Sequence, residues 1–461
     1  MATSALPRHV VLSVPRAATN TYVYRRDDGT VADGNNDMLS ELVKIEIERS
    51  RADSTRVHLR FRFTNRYWQK NANDDSIVAV SNKPEEDTTN PSCTLFHTTL
   101  QSDNALYLTH VQTGWRVMVN NSTRVFYVDR SSVGAPLGFL NWDSLVKLPT
   151  HVAFKGDNGQ YLKAFRDINQ NYLQFGSEDP NDVLSGHEVS MMRDGHVRIK
   201  SDLWGLFWRW ESRSGSDWIW ADSDDVTAND DATLFWPVKI DENTIALRSA
   251  GNSRFCKRYT TSRLESCLHA GAGSMTIEAR VQVEELVTSR KIYDVRYRME
   301  DARIFGETPY LGGTTSVINE SDEAGSIAVT MTYRDEKSRS FSRSTSVAAG
   351  VTTSITAEVP GIAGASVSIM TQISAGIEWS ETTSQTVEGS ATGTVPVPAR
   401  SLAVVHYVGT MGTCDVPFSY RQEDRSSTSG EISITDQIDG VFTGVNAYNF
   451  QFIVERYQPL D

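Results

Sequence analysis

Lysine and arginine are missing from the whole stretch between Arg343 and Arg400, 56 residues crowded with Ser, Thr, Gly and Ala. The chain also lacks any run of about 18 apolar residues, which excludes a transmembrane helix. Met1 to Pro15 shows no charged-then-apolar leader, so the expected compartment is cytoplasmic or nucleocytoplasmic. Cysteine is scarce. Cys93, Cys256, Cys267 and Cys414 are too few and too scattered for a disulfide framework, although Cys256 and Cys267 lie close enough in sequence for one local bridge. Positive charge is in deficit: 45 Lys and Arg against 58 Asp and Glu give a net charge of −13, of which −5 falls before residue 288 and −8 after it. Such a chain has no footprint for nucleic acid or for anionic lipid. Any membrane targeting must therefore use something other than charge, and a neutral glycan is the obvious ligand. Catalytic signatures are absent too. There is no phosphate loop or Gly-x-Ser-x-Gly turn, and His187-Glu188 lacks the second His of a zinc-protease helix. The sequence calls for no enzyme activity, cofactor or metal. The sequons at Asn120, Asn121 and Asn319 matter only if the chain is secreted.

What fills the stretch without Lys or Arg is alternation. On the outward arm Val347, Ala349, Val351, Thr353, Ile355, Ala357 and Val359 occupy odd positions, with small polar residues between them. Pro360-Gly361-Ile362-Ala363-Gly364 reads as the reversal, and Ala365, Val367, Ile369, Thr371, Ile373, Ala375, Ile377 and Trp379 continue the odd apolar face on the return. A period of two means strands. Each arm has about 13 residues, and a tilted strand crosses a bilayer in roughly 9 to 11. One hairpin cannot satisfy its own backbone in lipid, so insertion would need several chains closing a barrel. The even face, with Glu358 and Glu378, would line a water-filled lumen, and Trp379 sits where interfacial aromatics anchor barrels. The same pattern also describes half of an ordinary antiparallel sheet with one face on a core.

With 39% hydrophobic and 22% charged residues, the chain has material for two to four cores. Laid on itself with a shift near 139, its first 287 residues repeat. Tyr22 meets Tyr161, Tyr67-Trp68 meets Phe207-Trp208, Thr94-Leu95-Phe96 meets Thr233-Leu234-Phe235, and Asn104, Leu106 and Leu108 meet Asn243, Ile245 and Leu247. Each copy has short strand-like runs with turns such as Asp28-Gly29, Asn158-Gly159 and Asp194-Gly195, which reads as all-β. Strand groups fall into thirds near residues 150–192, 193–238 and 239–287. That division predicts a β-trefoil, with a sandwich as the alternative.

The phrases VHLRFRFTNRYW (57–68), CTLF (93–96), HVAFKGDNGQYL (151–162), LQFGSEDPND (173–182), RIKS (198–201) and FWRW (207–210) resemble the agglutinin domains of amaranthin-type plant lectins. The resemblance covers residues 1 to about 287. It implies two β-trefoils, 1–148 and 149–287, that dimerise head to head and bind galactose- or N-acetylgalactosamine-containing glycans between opposite domains. In that family the loop after the Tyr-rich strand carries an Asn followed by aromatics that touch sugar. Here it reads Asn71-Ala72-Asn73-Asp74-Asp75-Ser76, so Asn71, Asn73 and Asp75 are the candidates and the aromatic positions hold Asp75 and Ser76. In the second copy Trp208, Trp210, Asp217, Trp218 and Trp220 are carbohydrate candidates, one or two of the indoles being expected to fill the core instead.

From about residue 288 the strands lengthen, and the Ser/Thr-rich segments 339–346 and 380–390 flank the hairpin. This arrangement resembles the pore-forming module of aerolysin-like toxins over 288–461. It implies a homo-oligomeric ring of about seven subunits, release of the hairpin into a membrane, and carboxylate rings from Glu358 and Glu378 that favour cations. The expected function is a glycan-targeted pore-forming protein of plant-defence type. The alternative is a soluble glycan-binding or scaffolding lectin whose last module oligomerises without crossing a bilayer.

Overall fold

In the computed structural model the described residues are 6–16, 20–102, 104–131, 134–213, 215–224, 227, 230–343, 351, 353–372, 377–379 and 381–460. The chain divides into two compact units, one of Met1–Arg290 with Ser344–Val351 and Glu423–Ser433, the other of Lys291–Arg343, Thr352–Gln422 and Ile434–Asp461.

The first unit holds two barrels of the same design. In the first, His9–Val14, Lys44–Arg49, Arg56–Phe61, Leu95–Ser102, Ala105–His110 and Leu137–Asn141 pair antiparallel in a closed ring. Three hairpins cap it: Thr21–Arg25 with Val31–Asn35, Arg66–Lys70 with Ile77–Ser81, and Trp115–Val119 with Phe126–Asp129. Six barrel strands plus three hairpins make a β-trefoil. The second barrel closes through His151–Lys155, His187–Met191, Val197–Ser201, Phe235–Lys239, Thr244–Ser249 and Val281–Glu285. Its hairpins are Tyr161–Asp167 with Gln170–Ser177, Leu206–Arg213 with Ser216–Ser223, and Phe255–Tyr259 with Cys267–Ala272. A sandwich is therefore excluded for both copies, because closure leaves neither barrel an edge.

The matched pairs Tyr22/Tyr161, Tyr67-Trp68/Phe207-Trp208, Phe96/Phe235, Leu106/Ile245 and Leu108/Leu247 fall on equivalent strands, and Thr94/Thr233 and Asn104/Asn243 just before them. Trp68 and Trp208 each follow a register irregularity, after Tyr67 and Phe207, and each is fully buried at the centre of its barrel. The indoles meet Phe96 and Phe235 edge-on, at 6.4 and 6.1 Å between ring centroids. Around them close Leu12, Leu59 and Phe126 in one core and Phe154, Leu162 and Ile219 in the other. A third cluster, built on Tyr22, Met38, Trp142 and Leu145 with Met191 and Trp236 against it, joins the two trefoils.

Burial also settles the chemistry of small groups. All four cysteines are free and buried, and burial pushes the Cys256 and Cys267 thiols up to about 12. They belong to different clusters and form no bridge. The Asn319 side chain is buried, with its Nδ2 donating to the carbonyls of Glu323, Val397 and Pro398, so that sequon presents no amide for glycosylation.

The second unit is built on long strands: Arg303–Asn319, Gly325–Ser342, Thr382–Val397, Ser401–Ser426 and Ile432–Pro459. Gly325–Ser342 and Thr382–Val397 form a sixteen-pair ribbon without a bulge, from Gly325 opposite Val397 to Ser340 opposite Thr382. Its even-numbered face is mostly Ser and Thr, while Val329, Val395 and Val397 on the odd face pack against Ala403 and Val405. Bulky rings lie over glycines of neighbouring strands, Tyr333 over Gly389 and Phe452 over Gly393, where an added Cβ would meet ring atoms at 2.7 and 2.5 Å. Glycine there is a packing requirement.

Candidate functional site

Within the segment without Lys or Arg, the described residues 353–372 and 377–379 fold as part of the second unit. Its described strands are Thr353–Ile355, Glu358–Ala363, Ser366–Gln372 and Ile377–Glu378. Along the outward arm Thr353, Ile355, Ala357 and Val359 are buried, while Ser354 is half-buried and Thr356 and Glu358 are exposed. Ile355, Val359 and Ile362 enter one core with Ile292, Phe341 and Phe418. Burying each of these three is worth about 1.5–3 kcal/mol. Polar contacts add to the hold. The Thr356 N–H donates to the Ile292 carbonyl at 3.0 Å, the Tyr297 hydroxyl donates to the Glu358 carbonyl, and the Asn446 amide bonds Ile362. Burial, then the nearby Glu358 charge, pushes the Tyr297 phenol up, so it remains a donor at any ordinary pH. Trp379 ends the return arm half-buried against Tyr420 and Phe418, with ring centroids 5.4 and 6.2 Å away.

The reversal differs from the one expected from sequence. Pro360 to Ala363 belong to the outward strand, and the turn is Gly364-Ala365, with Ala363 opposite Ser366 and Ile362 opposite Val367. A register irregularity between Val359 and Pro360 moves the pairing centre from Ala365 to between Gly364 and Ala365, and Gly364 takes the left-handed φ of +60° that the turn requires. One consequence is that alternation fails near the tip: Pro360, Gly361 and Ile362 are all buried, whereas Ile369 is 47% exposed. Glu358 pairs with Gln372, Val359 with Thr371, Ser354 with Glu378 and Ile355 with Ile377. Val367 packs half-buried against the same core, and Val351 is half-buried just before the first strand. Val347, Ala349, Ile373 and Ala375 lie outside the described residues.

The carbohydrate candidates are not brought together. Asn71, Asn73 and Asp75 form the tip of the Arg66–Ser81 hairpin, where Asn71 N–H donates to the Ser76 carbonyl at 2.8 Å and Lys70 pairs with Asp75 at 3.3 Å. Asn73 and Asp75 are exposed. Sequence reasoning missed Tyr127, half-buried in the adjacent hairpin, whose backbone bridges to Ser76 at the end of the loop that lost its aromatics.

In the second trefoil three of the four indoles need correction. Trp208, Trp218 and Trp220 are 0%, 6% and 1% exposed and offer no face to a sugar. Trp208 fills the barrel, and Trp218 and Trp220 pack with Tyr172 and Leu264 beneath the hairpin cap. Trp210 is half-buried under Gly251, where an added Cβ would come within 2.5 Å of the ring. Asp217 stands at the surface edge of this cluster, its N–H donating to His269 Nε2 at 3.1 Å. Acceptance at Nε2 fixes the neutral tautomer with its proton on Nδ1, consistent with burial holding His269 below the usual imidazole range. The His269 ring lies 4.9 Å from both Trp218 and Tyr259, and Tyr259 is 40% exposed with Lys257 Nζ 4.9 Å from its centroid. His269 meets Asp217, and Tyr259 and Lys257 meet His269, only because the second and third hairpins of the cap pair side by side. No local signal in the chain points to them.

Among solved structures, a lamprey immune protein is 12% identical over 77% of this chain and 87% of its own, at a TM-score of 0.31. A mosquitocidal holotoxin is 10% identical over 63% and 35%, at 0.29, and the parasporin-2 toxin of Bacillus thuringiensis, described as recognising cancer cells, is 18% identical over 37% and 74%, at 0.21. TM-scores this low establish no shared arrangement. No curated protein matches the chain. The agglutinin domain model matches residues 25–133 and again 146–286, the two trefoils just described. Two tandem matches that together span more than half of the chain make this protein a member of the agglutinin domain family.

Proposed function

We propose that this is a carbohydrate-binding, pore-forming protein. Residues 1–148 and 149–287 dock on a galactose- or N-acetylgalactosamine-type surface glycan, and residues 288–461 oligomerise into a ring and insert a β-barrel. The carrying observation is the hairpin: an alternating segment with no Lys or Arg whose apolar residues Ile355, Val359 and Ile362 are stored in the core of its own module. Storage keeps the apolar face out of water, and the small hydroxylated face suits a wet lumen. Glu358 and Glu378 then supply the carboxylate rings that favour cations. Synthesis in the cytoplasm or nucleocytoplasm fits an agent held inside the cell until damage or attack exposes a target membrane.

For the sugar, the reading rests on Asn71, Asn73 and Asp75 with Tyr127 in the first trefoil, and on Asp217 with Tyr259 in the second. Each set joins polar groups to an accessible aromatic ring, the combination that fixes hydroxyls and stacks on C–H bonds.

Complete burial of Ile355 and Ile362 also supports the second reading, a soluble glycan-binding scaffold, since the hairpin needs no membrane to satisfy its apolar face. Dye release from vesicles carrying cell-surface glycolipids, with electron microscopy of the same sample, separates the two. Release with rings, competed by free sugar, is expected. Binding without release or rings selects the scaffold.

A further inference from the structure

The two arms that lead into the hairpin are paired in one register, and the stored hairpin in others: Ser354 opposite Glu378 and Ile355 opposite Ile377 are centred on Ser366, and Glu358 opposite Gln372 and Val359 opposite Thr371 on Ala365. In the ribbon each pair is centred on Gly361: Ser340 opposes Thr382, Ser338 opposes Ser384, and so on to Gly325 opposite Val397. At the tip of the stored hairpin the pairs are centred between Gly364 and Ala365. The tip centre differs from that of the ribbon by about three and a half residues and the base of the hairpin by about five, and the irregularity between Val359 and Pro360 accounts for only the last half residue.

We infer that the hairpin re-registers when it leaves its store, taking the register of the ribbon and moving its turn from Gly364-Ala365 to Pro360-Gly361-Ile362. This inference rests on the pore reading above. Thirteen residues separate Ser340 from Thr353, and thirteen separate Ile369 from Thr382, so the ribbon register extended without a bulge sets Thr353 opposite Ile369. It likewise sets Ile355 opposite Val367 and Val359 opposite Ala363.

Residues directly opposite in an antiparallel pair share a face. In the ribbon register odd therefore meets odd and even meets even. Thr353, Ile355, Val359, Val367 and Ile369 fall on one apolar face, and Ser354 with Ser368 and Thr356 with Ser366 on the other. In the stored register Ile362 opposes Val367 and Pro360 opposes Ile369, odd against even, which costs the tip its alternation and leaves Ile369 exposed. The stored register suits packing on a core, and the ribbon register suits two solvents. A shift of one residue inverts a strand's faces, so the register of the ribbon decides which side of the inserted hairpin meets lipid.

Paired cysteines read the register directly. In solution, Ala363→Cys with Ser366→Cys should form a disulfide, and Thr356→Cys with Ser366→Cys should not, because seven residues of extended chain, about 20 Å, separate Thr356 from the stored partner of Ser366. After the full-length protein has made phosphatidylcholine vesicles containing gangliosides leaky, the second pair should cross-link. The Ala363–Ser366 disulfide should lower release at least tenfold, with reductant restoring it. Leaky vesicles in which the second pair never cross-links, or full release from the locked variant, overturn the re-registration and leave the pore reading standing. No release from the unmodified chain overturns both.

Discussion

Asn446 and Ile362 exchange two hydrogen bonds: the Ile362 N–H donates to Asn446 Oδ1 at 2.9 Å, and Asn446 Nδ2 donates back to the Ile362 carbonyl at 2.9 Å. A side-chain amide thus completes the backbone of the stored strand just before its turn, in a site where both residues are buried. Replacing it leaves a buried donor and acceptor unmet, at about 1–3 kcal/mol each. Asn446→Ala should therefore speed amide exchange across 358–363 and lower the threshold for dye release, with the trefoils unchanged. Exchange like that of the unmodified chain would show that the clamp does not hold the hairpin.

Ile369 is the apolar hairpin residue best placed to separate folding from insertion, because it is 47% exposed in the stored state. Ile369→Arg should leave the melting temperature within about 1 °C, since exposed substitutions rarely exceed about 0.5 kcal/mol. In lipid the same change costs roughly 2–4 kcal/mol per subunit near the midplane. Vesicle release should fall steeply while glycan binding persists. Ile355→Arg would be uninformative, because Ile355 is fully buried in the soluble fold.

Tyr259→Ala and Tyr127→Ala remove accessible rings without opening a barrel core. If either ring stacks on sugar, retention on an immobilised galactose or N-acetylgalactosamine glycan should drop about tenfold, in line with about 1–1.5 kcal/mol for an aromatic contact. Trp208→Ala, by contrast, should cost about 3–5 kcal/mol of stability through the cavity it leaves. Its binding loss would track unfolding.

Acid should weaken the second trefoil. His187 is completely buried with its Nε2 on the Leu162 carbonyl, and burial pulls it down to about 4 from an ordinary 6.5. The unfolded chain binds that proton first. The contribution is thus fully present above about pH 6.5 and is lost as the pH falls through about 4, up to about 3 kcal/mol in all. Replacing His187 with Gln should flatten the melting temperature between pH 7 and pH 4.5. In the first trefoil Glu46 loses its contribution only lower: burial pushes its carboxyl up, but Arg60, Arg62 and Arg8 outweigh this and hold it at about 2. That contribution fades between about pH 4.5 and 2.

Much of this was legible in the chain. The offset that aligned Tyr67-Trp68 with Phe207-Trp208 landed on the same strand of each trefoil because both indoles fill the same hole. Alternation found the outward arm, since a strand on a core must bury every second residue. It misplaced the turn because every pair from Ser354–Glu378 to Ala363–Ser366 centres beyond Gly364, and the alternation that shows which residues share a face does not show which residues stand opposite each other. The Trp cluster misled for a different reason: spacing along Leu206–Arg213 and Ser216–Ser223 shows which residues share a face, and only barrel closure decides that this face is inward. Tyr259 and His269, some forty residues or more from Asp217 in sequence, were invisible for the same reason.

The outer face of the sixteen-pair ribbon is mostly Ser and Thr, with Thr330 and Thr392 in mutual contact at 3.1 Å, and its one ion pair joins Arg334 to Glu388 among the described residues. A surface made of hydroxyls has little charge for counterions to screen. Whatever this face meets, water in a channel or the flank of another copy, the contact should hold nearly the same strength in dilute buffer and in concentrated brine.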